Sequence, residues 1–210
     1  MENKQKTYFV SGIGTDVGKT VVSALLVEAM QADYWKPIQA GDLHHSDTDK
    51  VRALVANRNS QFHPNAYALK TPASPHYAAE LDGVDIELAK ISKPNTENSL
   101  IIEGAGGLMV PLNSNELILD LVESLSVEVI LVMNNYLGSI NHSLLTLEVL
   151  KQRKIPLKGI IFCGETYAPG ENYILSYSGA RFLGRVPHLK DLSAETIHKL
   201  AEQYKFLKDD

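Results

Sequence analysis

The chain has 210 residues, 44% of them apolar and 21% charged, with a net charge of −5, which suits one domain with an ordinary globular core. The acidic balance weighs against a nucleic-acid partner, and the lone Cys163 excludes an intrachain disulfide framework and fits a reducing compartment. The polar stretch 1–6 lacks the apolar segment of a signal peptide, and no later run has the length of a membrane span, so a cytoplasmic location and no membrane partner are expected.

The first predicted strand, Thr7-Tyr8-Phe9-Val10, enters the turn Ser11-Gly12-Ile13-Gly14-Thr15-Asp16-Val17-Gly18-Lys19-Thr20. Apolar positions 21, 22, 25, 26 and 29 then mark one face of a helix over 21–30. Strand, glycine-rich turn and a Gly-Lys-Thr that opens a helix are the context of a phosphate-binding loop. Glycines let backbone N–H groups converge on an anion, and the new helix adds its positive end. Lys19 is placed to reach the terminal phosphates, and the Thr20 hydroxyl to ligate magnesium. The spacing is unusual, with five residues between Gly12 and Gly18 rather than four before Gly-Lys. The context carries the reading: this stretch binds a nucleotide.

A short strand is predicted at 33–36, followed by the loop Lys36-Pro37-Ile38-Gln39-Ala40-Gly41-Asp42. Ser46-Asp47-Thr48-Asp49 is a good helix start, with Val51, Leu54 and Val55 as the buried stripe. The stretch 57–75 is rich in Asn, Pro and Ser, with a short edge strand at 66–69, and its prolines keep 71–76 irregular. Segments 76–82 and 85–91 read as short helices. Leu100-Ile101-Ile102 is a strand ending in Glu103-Gly104-Ala105-Gly106-Gly107. A helix at 116–125, a strand at 127–133 buried on both faces, a helix at 139–153 and a strand at 157–163 follow. A loop through Pro169-Gly170 and a poorly periodic segment to 179 precede a strand at 182–185, the stretch Val186-Pro187-His188-Leu189 and an amphipathic helix at 193–207. Apolar strands alternating with amphipathic helices predict one doubly wound α/β domain over 1–210, with a mainly parallel sheet covered on both faces. Such sheets bind ligands at the carboxyl ends of their strands.

Several constellations fall at those ends. Glu103 can reach a magnesium ion, or else fixes a turn. Asp47 and Asp49 offer a second carboxylate, or else cap the helix. Lys36 can place a second cation over a transferred phosphoryl group, where charge stabilisation is the main contribution a protein makes. Leu137-Gly138-Ser139-Ile140-Asn141-His142 opens a helix and offers free N–H groups to an anion. His142 is expected to be structural, no histidine has zinc-site spacing, and Cys163 shows no sign of an activated nucleophile. The last helix lacks the basic excess of a membrane anchor and is expected to pack on the core.

Gly12–Thr20, Trp35-Lys36-Pro37-Ile38-Gln39-Ala40-Gly41, Ser46-Asp47, Ser74-Pro75-His76, Glu103-Gly104-Ala105-Gly106-Gly107 with Pro111-Leu112, and Leu137–His142 together resemble the dethiobiotin synthetases, in family order over about 7–190. The resemblance implies ATP- and magnesium-dependent carboxylation of 7,8-diaminononanoate with CO2 and ring closure to dethiobiotin, through a carbamate and a carbamic-phosphoric anhydride. By position it makes Thr20, Asp47 and Glu103 the magnesium ligands. It makes Asp16, Val17, Gly18, Lys19, Thr20 and Val21 the phosphate cradle, with Glu103, Gly104, Ala105 and Gly106 beside it. Gly164, Val186, Pro187 and His188 would line the adenine pocket. Lys19 and Lys36 become the catalytic cations, and Thr15, Lys36 and Ala40 face the substrate. Gly138, Ser139, Ile140 and Asn141 would bind its carboxylate from the second subunit of a homodimer, so an isolated monomer is expected to be inactive. Two departures stand out. Gly164-Glu165 replaces the Asn-Asp with which the best-known members recognise adenine, which predicts relaxed base preference unless backbone groups substitute. Ala40 lacks the hydroxyl some members carry.

Other ligases or amidotransferases of the same superfamily are the nearest alternative; residues 1–210 hold no glutaminase-like stretch, and the single, unactivated Cys163 argues against an amidotransferase. Nucleotide-switched partitioning ATPases carry a lysine just after the first glycine of the loop; here that residue is Ile13.

Overall fold

A computed structural model describes residues 5–209. The apolar runs become the centre of one parallel sheet because a strand covered on both faces must be apolar on both. In chain order the elements are β1 (Thr7–Gly12), α1 (Lys19–Met30), β2 (Asp33–Trp35), β3 (Ile38–Ala40), α2 (Asp47–Leu54), β4 (Phe62–His63), β5 (Tyr67–Leu69) and α3 (Pro75–Asp82). After a 3-10 turn (Leu88–Lys90) come β6 (Leu100–Gly107), α4 (Ile118–Leu125), β7 (Glu128–Asn134), α5 (Ser139–Gln152), β8 (Leu157–Cys163), α6 (Ala168–Ser178) and β9 (Phe182–Val186). The chain ends in α7 (Ala194–Ala201), a second 3-10 turn (Glu202–Tyr204) and α8 (Phe206–Asp209).

The main sheet has seven strands in the order β4-β2-β6-β1-β7-β8-β9, every pairing parallel. Phe9, Val10, Ile101, Ile102, Ile130, Leu131, Ile160 and Ile161 form its fully buried centre. β1 lies between β6 and β7, where successive crossovers diverge, so the loops after these strands open a crevice at their carboxyl ends.

The structure departs from the sequence expectations at several points, the shortest being β3 within the predicted loop 36–42 and β4, which was not expected at all. The edge strand predicted at 66–69 does not join the main sheet: β5 pairs with β3 in a separate two-stranded sheet, and the edge is β4. The segment through 179, predicted as loop and aperiodic chain, is α6. It buries only Gly170, Glu171 and Ile174, too narrow a stripe to register as periodicity, although Pro169 in its first turn and Gly179 just past its end mark a helix. The predicted helix at 85–91 is only a 3-10 turn. The final helix is broken after Ala201, yet Ile197, Ala201, Tyr204 and Leu207 still bury one face, and α7 packs on α1, where His198 Nδ1 meets Glu28 Oε1 at 2.6 Å.

Asp33 ties the amino end of β2 to its surroundings. Fully buried, it accepts hydrogen bonds from Thr96 Oγ1 (2.6 Å), Asn98 Nδ2 (2.9 Å) and Gln61 N (2.9 Å), and it meets His63 Nε2 at 2.9 Å. Burial alone would raise its carboxyl, but these partners outweigh it and hold the group below its ordinary 3.8. A depressed carboxylate contributes stability above its unfolded value and loses it as pH falls through its folded value. Asp33→Asn is therefore expected to cost about 1–3 kcal/mol in urea unfolding at pH 7. The difference from the natural protein should shrink below pH 3.8, and an equal deficit at pH 7 and pH 3 would contradict the assignment.

Candidate active site

The loop between β1 and α1 is shaped by close backbone approach. Gly18 is left-handed (φ 102°), and a Cβ there would lie 2.7 Å from Cys163 Sγ on β8. Only glycine fits, which explains why Gly18 precedes Lys19. Gly18 is also the N-cap of α1, and with no side-chain cap the helix's first N–H groups face the crevice, ready for an anion. Asp16 is left-handed too (φ 56°), which turns the loop over the helix start.

Two adjoining cavities share Asp16, Gly18 and Val21. The smaller, about 660 Å³, is lined by Thr15, Lys19, Thr20, Lys36, Ala40, Asp47, Glu103, Ala105 and Gly106, among others. Lys36 is 4% exposed and Glu103 1%. Lys36 Nζ donates to Asp47 Oδ2 and, at 3.1 Å, to Glu103 Oε1, which also accepts from Thr20 Oγ1 at 2.9 Å. Burial would lower the Lys36 ammonium, but the two acids raise it above 10.5. Burial would likewise raise Asp47, but Lys36 and Lys50 hold it below 3.8. Lys19, 8% exposed, donates to Gly14 O at 2.9 Å. Its burial, reinforced by Lys36 and opposed by Glu103, keeps its pKa below 10.5. Two buried ammoniums thus share a cavity that has no His or Cys in its lining.

The structure separates the two aspartates of α2. Asp49 forms a capping box with Ser46, accepting from Ser46 N at 3.0 Å, and does not line the cavity. Asp47, freed from capping, turns to Lys36. Three supporting residues escaped the sequence reading. Tyr34 Oη donates to Glu103 Oε2 at 2.9 Å, Gln39 Oε1 accepts from Asp47 N at 3.2 Å, and Asn65 Nδ2 donates to Lys36 O at 2.7 Å. Gln39 stood in the family-like stretch 35–41 without a role assigned to it, and Tyr34 carried a signal because it lies two residues before Lys36, the spacing that returns a strand side chain to the same face.

The larger cavity, about 860 Å³, is lined by Val17, Gly138, Ser139, Ile140, Gly164, Val186, Pro187 and His188, among others. Gly104 and Asn141 line neither cavity: Gly104 packs under Phe9, where a Cβ would lie 2.7 Å from the ring, and Asn141 is exposed on α5. Gly164 is left-handed (φ 81°), and a Cβ on it would lie 3.2 Å from His188 Nε2. Its N–H donates to Val186 O at 2.8 Å and its carbonyl accepts from Arg185 at 3.1 Å. Arg185 is in turn paired with the buried Glu171, to which Asn135 Nδ2 donates at 2.6 Å. His142 meets Tyr136 Oη at 2.6 Å, and burial pushes the Cys163 thiol up to about 12, which leaves it inert.

Among solved structures, a ParA family ATPase from Chlorobium tepidum has a similar fold (TM-score 0.61, 16% identity, 99% of this chain and 98% of that one). So does the cell division ATPase MinD from Pyrococcus furiosus (TM-score 0.60, 15% identity, 96% and 99%). These likenesses show a P-loop α/β fold. A family profile described as an AAA domain matches residues 6–196. Among curated proteins, the chain is 51% identical to the ATP-dependent dethiobiotin synthetase BioD of Christiangramia forsetii, over 95% of its own length and 96% of the relative's. It is 50% identical to the protein of the same name from Cytophaga hutchinsonii (91% and 93%) and 41% identical to that from Agrobacterium fabrum (96% and 95%). Near-complete mutual coverage at such identity separates the chain from the fold's partitioning ATPases, and with its phosphate loop and paired buried lysines it belongs to the ATP-dependent dethiobiotin synthetase family of enzymes.

Proposed function

We propose that this enzyme uses ATP and magnesium to carboxylate 7,8-diaminononanoate with CO2 and close its ring to dethiobiotin. One amine nitrogen bonds to CO2 and releases a proton, giving a carbamate. A carbamate oxygen then attacks the γ-phosphorus, the bond to the β–γ bridging oxygen breaks, and ADP leaves. The second amine attacks the carbonyl carbon of the carbamic-phosphoric anhydride, the C–O bond to phosphate breaks, and phosphate departs as the ring nitrogen gives up its proton.

The observation that carries this reading is the pair of buried ammoniums, Lys19 and Lys36, on one cavity with no His or Cys in its lining. Carbamate and phosphate are both anions, so what they need to meet is fixed positive charge in a site poor in water. Lys19 takes the terminal phosphates and Lys36 bridges carbamate and phosphoryl oxygens, while Thr15 and Ala40 shape the substrate end. The Thr20 hydroxyl with the Asp47 and Glu103 carboxylates is a set of hard oxygen donors that fits magnesium, which takes one or two carboxylates and fills its remaining positions with phosphate and water. When bound, the ion neutralises charge on the β- and γ-phosphates. The larger cavity takes the nucleoside, with Val17, Gly164, Val186, Pro187 and His188 around the base.

A homodimer, with Gly138–Asn141 of one subunit binding the substrate carboxylate for the other, is supported by the apolar side chains exposed around the start of α5 and on α6. Leu137, Tyr136, Leu145, Tyr173 and Tyr177 all face solvent there, more than a monomer needs to display. Relaxed base preference is supported at Gly164: it offers no side-chain amide, and its backbone N–H and carbonyl already have partners in the chain.

Incubating the protein with diaminononanoate, bicarbonate, ATP and magnesium is expected to give dethiobiotin and ADP in equal amounts by mass spectrometry. GTP and CTP are expected to support the same product. ATP turnover that ignores the diamine would refute the ligase reading, and strict use of ATP would refute the base reading alone.

A further inference from the structure

Glu103 is held by three donors of different kinds. Thr20 Oγ1 (2.9 Å) and Lys36 Nζ (3.1 Å) both reach Oε1, whereas Oε2 is met by Tyr34 Oη at 2.9 Å. Tyr34 is 0% exposed and lines neither cavity, so it cannot touch substrate. Its ring packs on Phe62, with centroids 6.1 Å apart, and the Arg52 guanidinium lies over the Phe62 ring at 5.0 Å. The phenol therefore has a fixed seat under the carboxylate.

We propose that Tyr34 is a positioning residue: it pins Oε2 of Glu103 in the core so that Oε1 alone faces Thr20, Lys36 and the incoming cation. The terminal torsion of a glutamate is broad and costs little to turn, so a carboxylate at a cavity wall keeps its aim only if one oxygen is anchored. A phenol suits the task because it donates one hydrogen bond without cancelling the charge. Lys36 already brings one cation to Oε1, and a second ammonium or guanidinium at Oε2 would cancel the charge left to attract a metal. The proposal rests on the reading of Glu103 as a magnesium ligand.

Tyr34→Phe removes one oxygen and keeps the ring. Calorimetric titration with the β,γ-methylene analogue of ATP, in EDTA and in magnesium, isolates the gain in affinity that the ion confers. The variant is expected to bind the analogue as the natural protein does in EDTA, while the magnesium-dependent gain falls by about tenfold, as for loss of an outer-shell partner. Half-saturating magnesium for dethiobiotin formation should rise by a similar factor, with the KM for diaminononanoate unchanged. In a Glu103→Gln background, Tyr34→Phe should alter the gain no further. A natural protein whose nucleotide affinity ignores magnesium would overturn the metal reading and the proposal with it. A gain that Tyr34→Phe leaves intact, or a variant that does not fold, would overturn the proposal alone, the latter because the bond would then serve the core.

Discussion

Lys36→Met is expected to lower kcat/KM for dethiobiotin formation by roughly 10³-fold, the scale of losing one preorganised charge where a phosphoryl group is transferred. Methionine keeps the length and apolar stem and removes only the ammonium. In the proposed chemistry that ammonium sits between the carbamate and the phosphoryl oxygens, so its loss should fall on kcat while the analogue of ATP still binds. A variant within tenfold of the natural kcat/KM would remove Lys36 from the mechanism.

The same substitution should also weaken the fold. Lys36 is the cation held between Asp47 and the buried Glu103, and deleting one partner of a buried ion pair costs about 3–5 kcal/mol because the other charges are left uncompensated. The pH window follows from the shifts. Asp47, depressed below 3.8, contributes stability above that pH and loses it as pH falls through its folded value. Lys36, raised above 10.5, contributes below that pH and loses it as pH rises through its folded value. The stability gap between natural and variant proteins should therefore be full between pH 3.8 and 10.5 and close toward both extremes. Urea unfolding at pH 3 and pH 7 checks the acid side.

What could be seen in the sequence was what local pattern encodes. Strands β6, β7 and β8 are apolar on both faces and so stand out without context. The phosphate loop announces itself because its glycines answer a backbone demand, seen at Gly18, where a Cβ would meet Cys163. Local pattern named Lys36, Asp47 and Glu103 only as separate candidates; the family resemblance put Asp47 and Glu103 at one site, and the contacts of both with Lys36 came only from the packing of β2, α2 and β6. The competing uses of Asp47 and Asp49 illustrate the limit. Both are first-turn acids on α2, and only the geometry shows that Ser46 takes Asp49 into a capping box and leaves Asp47 for Lys36. α6 was hidden for a related reason. Its buried face includes Glu171, a charge made tolerable by Arg185 on β9 and Asn135 just after β7, so no apolar stripe recorded it. Tyr34 reads as one more core aromatic until its hydroxyl is found on Glu103.

Lys19→Met should separate stability from activity, which Lys36→Met lowers together. Lys19 belongs to no ion pair among the described residues; its ammonium is buried, bonded to Gly14 O, and shares a cavity with the like charge of Lys36. Burial, with Lys36 adding to it, makes the charged form harder to hold, which is what its lowered pKa records. Removing that charge should leave the melting temperature unchanged or higher, as at other sites where function is kept at the expense of stability. Activity should nevertheless fall by roughly 10³-fold, because the polyphosphate that would compensate the charge is the proposed ligand of the site. The pH dependence adds a readout that a merely structural lysine would not show. With its folded pKa below 10.5, the Lys19 ammonium is lost earlier than a free lysine's on the alkaline side. Affinity of the natural protein for the ATP analogue should fall as pH rises through that depressed value, and the Lys19→Met protein, already weak, should lack this step. Calorimetric titrations from pH 7 upward test it, and the same alkaline step in both proteins would assign the proton to another group and leave Lys19 without its proposed duty.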